Sequence, residues 1–205
     1  MTIYKVGSRG EVVKQIQKAL GIYADGIFGK LTEERVKEFQ KEHGLTVDGK
    51  VGPATLGKLL VRTGLKKSKR KINGIIVHCS ATPEGKDYTV EDITRWHKQR
   101  GFSTIGYHYV IYRDGSVHNG RDVDVAGAHC AGHNSYTIGV CYIGGCDKGG
   151  KKPKDTRTDA QKFALLDLLV KLKEMYPNAK IYGHNYFDKG KACPSFDATK
   201  EFADL

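Results

Sequence analysis

No apolar run in this 205-residue chain approaches the ~20 residues needed to cross a bilayer. The start, Met1-Thr2-Ile3-Tyr4-Lys5-Val6-Gly7, lacks the apolar core of an export signal, so Sec export of the chain as written is not expected. A disulfide framework is missing too. Five cysteines (Cys79, Cys130, Cys141, Cys146 and Cys193) make an odd count without regular spacing, which points to synthesis in a reducing compartment. Most of them should behave as small buried hydrophobes. These absences exclude a membrane-spanning protein and a disulfide-stapled secreted domain. What remains, 39% hydrophobic and 28% charged residues, reads as a soluble chain long enough for one ordinary domain and a small one.

The net charge of +11 is concentrated. Residues 61–71 hold six Lys/Arg and no acidic residue, whereas the segments on either side are close to balanced. Nucleic-acid binding would want such charges on a folded face with groove-reading or aromatic elements among them, so no nucleic-acid partner is expected. The run reads as a solvated, like-charged linker over 63–71, or as a non-specific attraction to an anionic surface.

The first 60 residues repeat at an offset of 23. Val13-Lys14-Gln15-Ile16-Gln17-Lys18 returns as Val36-Lys37-Glu38-Phe39-Gln40-Lys41, and Asp25-Gly26-Ile27-Phe28-Gly29 returns as Asp48-Gly49-Lys50-Val51-Gly52. Ten of the 22 positions from 11 to 32 match their partners, where composition alone gives roughly one or two. Apolar residues at helical spacing predict a small three-helix bundle. Thr32 is expected to cap the second helix and Pro53 to open the third. The Asp-Gly pairs suit turns with positive φ, and Gly29 and Gly52 suit close backbone approach.

From Ile72 onward the pattern becomes mixed α/β, a central sheet flanked by helices. Ile75-Ile76-Val77 and Thr137–Ile143 read as strands, and Tyr107–Tyr112 runs into a hairpin at Arg113-Asp114-Gly115-Ser116. Thr89 with Asp92, and Thr158 with Gln161, start helices, the second reaching Met175. A last strand at 180–182 precedes His184.

The chemistry-bearing residues gather at strand ends: His78 after the first strand, and His184, Lys191 and Cys193 after the last. Two imidazoles and a thiolate suit a catalytic zinc, which keeps one position open, although a histidine ending a buried strand is more often a structural residue. His108 alternates with Tyr107 along its strand and reads as structural. His97 and His118 read as surface or packing residues, His43 belongs to the repeats, and His133 stays a remote alternative ligand.

Residues 5–60, with both Asp-Gly-x-(Phe/Val)-Gly motifs, resemble the peptidoglycan-binding domain of the first type, which implies targeting to the cell wall. The rest resembles the zinc-dependent N-acetylmuramoyl-L-alanine amidases of the second type, a family that includes short phage lysozymes and peptidoglycan-recognition proteins. Ile76-Val77-His78-Cys79-Ser80-Ala81-Thr82, Gly106-Tyr107-His108-Tyr109, Gly127-Ala128-His129 and Lys191-Ala192-Cys193-Pro194 carry that likeness in family order. It implies one zinc ion on His78, His184 and Cys193, hydrolytic roles for Tyr107 and Lys191, and a substrate contact for His129. The interval from His184 to Cys193 is one residue longer than in similar phage enzymes, at Asp188-Lys189-Gly190. The implied organisation is a helical wall-binding domain over 1–62, a basic linker over 63–71 and an amidase domain over 72–205. The partner would be bacterial peptidoglycan, with no membrane insertion and a monomeric chain that is stored in the host cytoplasm, then released to the wall as endolysins are. Two alternatives stay open: a wall-recognition protein without catalysis, and a thiol hydrolase using Cys193 and His184.

Overall fold

The computed structural model describes residues 3–59 and 65–205. Contacts divide the chain into two units, one running up to Leu65 together with Leu166–Lys171, the other comprising Lys66–Leu165 and Leu172–Leu205.

The smaller unit holds helices α1 (Glu11–Ala19), α2 (Lys30–Glu42) and α3 (Pro53–Leu59). Val13, Ile16, Phe28, Val36 and Leu56 are buried among them. What recurs in three dimensions is a buried glutamine. Gln17 Nε2 donates to Asp25 Oδ1 (2.8 Å), the Ile27 carbonyl (3.1 Å) and Thr32 Oγ1 (3.1 Å), while its Oε1 accepts from the Gly26 amide (2.9 Å). Gln40 makes the same bonds one repeat later, to Asp48 Oδ1 (2.8 Å), the Lys50 carbonyl (2.9 Å) and Thr55 Oγ1 (3.0 Å), and from the Gly49 amide (2.9 Å). A buried amide leaves an energetic debt unless its donors and acceptors are met, and here each turn meets them.

Two details differ from the sequence reading. Gly29, not Thr32, caps α2; Thr32 lies inside the helix with its hydroxyl turned to Gln17. Nor do Gly29 and Gly52 face a close neighbour, since a Cβ at either would meet open space. The positive φ of Gly26 (78°) and Gly49 (71°) is the expected requirement of the Asp-Gly turns.

The larger unit is built on a five-stranded sheet. In chain order its strands are β1 (Gly74–Cys79), β2 (Thr82–Pro83), β3 (Tyr109–Ile111), β4 (Val117–Asn119), β5 (Thr137–Tyr142), β6 (Gly145–Cys146) and β7 (Lys180–Gly183). The sheet order is β4-β3-β5-β1-β7, parallel except for the β3–β4 hairpin, while β2 and β6 form a separate parallel pair. β1 runs between β5 and β7 and is buried along its whole length. A strand covered on both faces selects a continuous apolar run, and Ile75, Ile76 and Val77 supply it, each contributing about 1.5–3 kcal/mol on burial.

Helices α4 (Val90–Gln99) and α5 (Asp159–Met175) both start on reciprocal capping boxes, Thr89 with Asp92 and Thr158 with Gln161. Gln161 Nε2 also donates to the carbonyls of Ile111 and Ile143, tying the start of α5 to the ends of β3 and β5. Two short helices, α6 (His184–Phe187) and α7 (Ala198–Glu201), follow β7.

The basic run departs from the linker reading. Residues 63 and 64 lie outside the described residues, but from Lys66 onward the segment lies along the larger unit. Lys66 Nζ pairs with Asp122 (3.2 Å) and Asp124 (2.6 Å). Ser68 is buried, its amide donating to the Tyr176 hydroxyl (2.6 Å). Arg70 donates to the carbonyls of Val123, Asn134, Ser135 and Thr137. Two of the charges, on Lys66 and Arg70, are met by acids and carbonyls more than fifty residues away, which a local charge count does not register.

Candidate metal centre

β1 and β7 are hydrogen-bonded neighbours with Val77 opposite Gly183, so the residues that follow them in the two strands emerge side by side. Those residues are His78 and His184, whose ring centroids lie 4.6 Å apart. Cys193 reaches the same place from the loop after α6. The Asn185 amide donates to the Cys193 carbonyl (2.8 Å), and the Cys79 amide donates to Cys193 Sγ (3.3 Å). Downstream, Arg157 holds the segment in place. Its guanidinium, nearly buried, pairs with Asp155 and Glu201 and sits 3.3 Å from the centroid of the Phe196 ring.

One ligand atom from each of His78, His184 and Cys193 falls within 4.8 Å of the others, and among the described residues this is the one such cluster of His, Cys or acidic groups. His78 Nδ1 and Cys193 Sγ are 3.7 Å apart. Bonds of about 2.0–2.3 Å from one zinc ion to N and S donors need donors gathered on this scale. The chemistry of the set fits as well. Burial, then the nearby His129, His184 and Lys191, hold His78 well below the usual histidine range, and burial followed by Lys191 lowers His184. Both imidazoles are therefore neutral at neutral pH, the form that binds a metal. Contact with the Cys79 thiol, together with burial, pushes the Cys193 thiol up.

Tyr107 precedes β3, with its ring 5.1 Å from that of His78. Burial raises its phenol well above 10, so it keeps its proton at neutral pH. Lys191 is exposed, with Nζ 3.5 Å from Asp188 Oδ2. Asp188-Lys189-Gly190 forms a turn, where the Gly190 amide donates to Asp188 Oδ1 and the Lys191 amide to the Asp188 carbonyl. Lys191 also borders a cleft of ≈ 560 Å³ lined by Asn185, Tyr186, Lys189, Asp197, Thr199 and Lys200.

His129 is not where a substrate contact would be. It is buried behind His78, with Nδ1 3.0 Å from His78 Nε2. The other histidines are structural. His108 Nδ1 accepts from the Gly139 amide (2.9 Å), and His97 Nδ1 accepts from the Gly106 amide (2.9 Å). His118 stacks on Tyr112, and His133 bonds to the Tyr136 hydroxyl and lies against Phe187. Sequence reasoning gave Thr137 and Gly139 no role beyond their strand, and Gly127 none beyond the Gly127-Ala128-His129 motif; that all three surround the His129 ring carried no sequence signal.

Residues 68–196 match the N-acetylmuramoyl-L-alanine amidase family, and residues 9–59 match a peptidoglycan binding domain family. The chain is similar to the endolysin of Klebsiella phage KP32, at 46% identity over 129 residues, which cover 63% of this chain and 84% of that protein. It is also similar to the endolysin of Escherichia phage T7, at 43% identity over 131 residues, 64% of this chain and 85% of the relative. Among solved structures, the N-acetylmuramoyl-L-alanine amidase LysC from Clostridium intestinale superposes with a TM-score of 0.55 at 25% identity, over 68% of this chain and 90% of that one. With a mostly parallel sheet that brings two imidazoles and a thiol to one point, this chain belongs to the N-acetylmuramoyl-L-alanine amidase family and is a peptidoglycan hydrolase that cleaves the amide between N-acetylmuramic acid and L-alanine.

Proposed function

We propose that the larger unit hydrolyses this amide with one zinc ion held by His78, His184 and Cys193, and that the chain acts as an endolysin. The convergence of those three donors carries the reading. When bound, zinc supplies Lewis-acid polarisation of the scissile carbonyl and acidifies a coordinated water. The protein's own groups do the rest. His78 and His184 stay neutral because they are buried, so each offers a lone pair at neutral pH. Tyr107, protonated, donates a hydrogen bond that orients the attacking water or the substrate carbonyl. Lys191, two residues from Cys193, sets a positive charge beside the negative charge that develops on the carbonyl oxygen. Lys189 and Lys200, in the cleft that Lys191 borders, suit the carboxylates of a stem peptide.

The domain limits implied are a wall-binding module over 1–62, a basic connection over 63–71 and the catalytic domain over 72–205. The match at 9–59 supports peptidoglycan as the ligand of the first. The likeness to phage endolysins supports release from the host cytoplasm to the wall, where the chain would act as a monomer, and none of the described helices is long and apolar enough to cross a membrane.

Digestion of purified sacculi followed by mass spectrometry tests the proposal. The expected products are glycan chains stripped of peptide and peptides that begin with L-alanine. Cleavage between sugars or within the stem peptide overturns it. Chelation should abolish release and added zinc restore it, which a Cys193–His184 thiol mechanism would not require.

A further inference from the structure

His129 occupies a place built for an imidazole. Two glycines make room for the same edge of its ring: a Cβ at Gly127 would stand 2.3 Å from His129 Cδ2, and one at Gly139 would stand 2.6 Å from it. Asn134 Oδ1 accepts from the His129 and Cys130 amides (2.9 and 3.0 Å), fixing the backbone from which the ring projects. Gly139 serves twice, since its amide also donates to His108 Nδ1.

The hydrogen bonds around this ring run in one direction. Thr137 Oγ1 donates its single proton to the His133 carbonyl at 2.7 Å. Towards His129 Nε2, 3.5 Å away, it therefore offers only lone pairs, so Nε2 carries the His129 proton. His129 Nδ1 is then an acceptor, and the atom facing it at 3.0 Å is His78 Nε2, which must carry the proton of that ring. The lone pair of His78 is left on Nδ1, the nitrogen that faces Cys193 Sγ. Running the chain in reverse would give up the 2.7 Å bond from Thr137 to the His133 carbonyl for a 3.5 Å one and put the His78 proton on the side where a metal binds.

We infer that His129 is a positioning residue, which with Thr137 locks His78 in the Nε2–H tautomer and so presents Nδ1 to the metal. The inference rests on the metal-centre reading, and it gives His129 a role in place of the substrate contact expected from the sequence. Partners of this kind fix both tautomer and ring orientation, and their loss weakens metal binding by about 10–100-fold.

The test is zinc affinity of the full chain, measured by competition with a chromophoric chelator, together with long-range ¹H–¹⁵N spectra of the metal-free protein. His129→Ala should weaken zinc binding by about 10–100-fold and turn His78 from one tautomer into a mixture. His129→Asn, whose Oδ1 can take the place of Nδ1, should recover most of the affinity. Thr137→Val removes the acceptor with little change in volume, and should mix the His129 tautomers even if His129→Ala fails to fold. Unchanged affinity and an unchanged His78 tautomer in His129→Ala, or a His78 proton found on Nδ1 in the wild type, would overturn the inference. His184→Ala separates the two readings. If it abolishes zinc binding while His129→Ala does not, only the positioning role falls; if it leaves binding intact, the metal centre itself is wrong.

Discussion

The two units use buried polar side chains in opposite ways. In the smaller one, Gln17 and Gln40 are surrounded by bonds from their own repeat, and the same set of partners appears twice. In the larger one, His78, His184 and Cys193 come from distant parts of the chain and point their donor atoms at one another. A polar group whose bonds are all met locally builds structure. Polar groups of like kind that converge on a common point are arranged for something added from outside. That contrast, more than burial, separates scaffold from site here.

The sharpest way to break the comparison is Cys193→Ala. Loss of the metal-dependent stabilisation should remove several kcal/mol from catalysis, more than about a thousandfold in the rate of peptide release from sacculi. Pull-down on the same sacculi should be unchanged, because the smaller unit is untouched. A variant that neither binds nor cuts would mean the two functions are not divided as argued.

Acidification should separate the units next. Burial lowers His108 to about 4, whereas an unfolded histidine titrates near 6.5. Between those values the unfolded chain holds the extra proton, so stability is lost as pH falls from about 6.5 towards 4, by about 3 kcal/mol for this residue. The glutamine-linked Asp25 and Asp48 are held below the usual carboxylate range, chiefly by the Ile27 and Lys50 amides, so their contribution fades only at more acidic pH. Denaturant melts from pH 7 to 4 should show the slope, and His108→Asn should reduce it by this residue's share, leaving that of the other buried histidines.

The smallest effect tests the repeat. Gln17→Ala and Gln40→Ala should each cost about 1–3 kcal/mol, since each takes the acceptor from a buried glycine amide and a donor from a buried threonine hydroxyl. Equivalent bonds predict near-equal losses in thermal unfolding. A large inequality would show that the repeats share sequence without sharing energetics.

How much of this the sequence displayed depends on the distance over which each interaction acts. The capping boxes at Thr89 and Thr158 were legible because both partners lie within four residues. The buried strand β1 was legible because its apolar run needs no partner to be recognised. Thr32 is not a cap because its partner, Gln17, lies fifteen residues back, and nothing in a local window marks that glutamine as buried. Arg70 looked solvated because its acceptors are main-chain carbonyls, which carry no sequence signature. The ligand set came from family likeness, but the place of His129 behind His78 did not, since nothing in a loop sequence says which face of a neighbouring ring it will meet.

β7 lies at the sheet edge, joined to β1 alone over four residues, and His184 follows it directly. Edges open first in thermal breathing. An ion shared by His78 and His184 would therefore act as a clasp across the β1–β7 seam, and its departure would be felt as faster solvent exchange at Ile181 and Tyr182. Occupancy of the centre would then be written into the mobility of the sheet's margin as well as into the rate of bond cleavage.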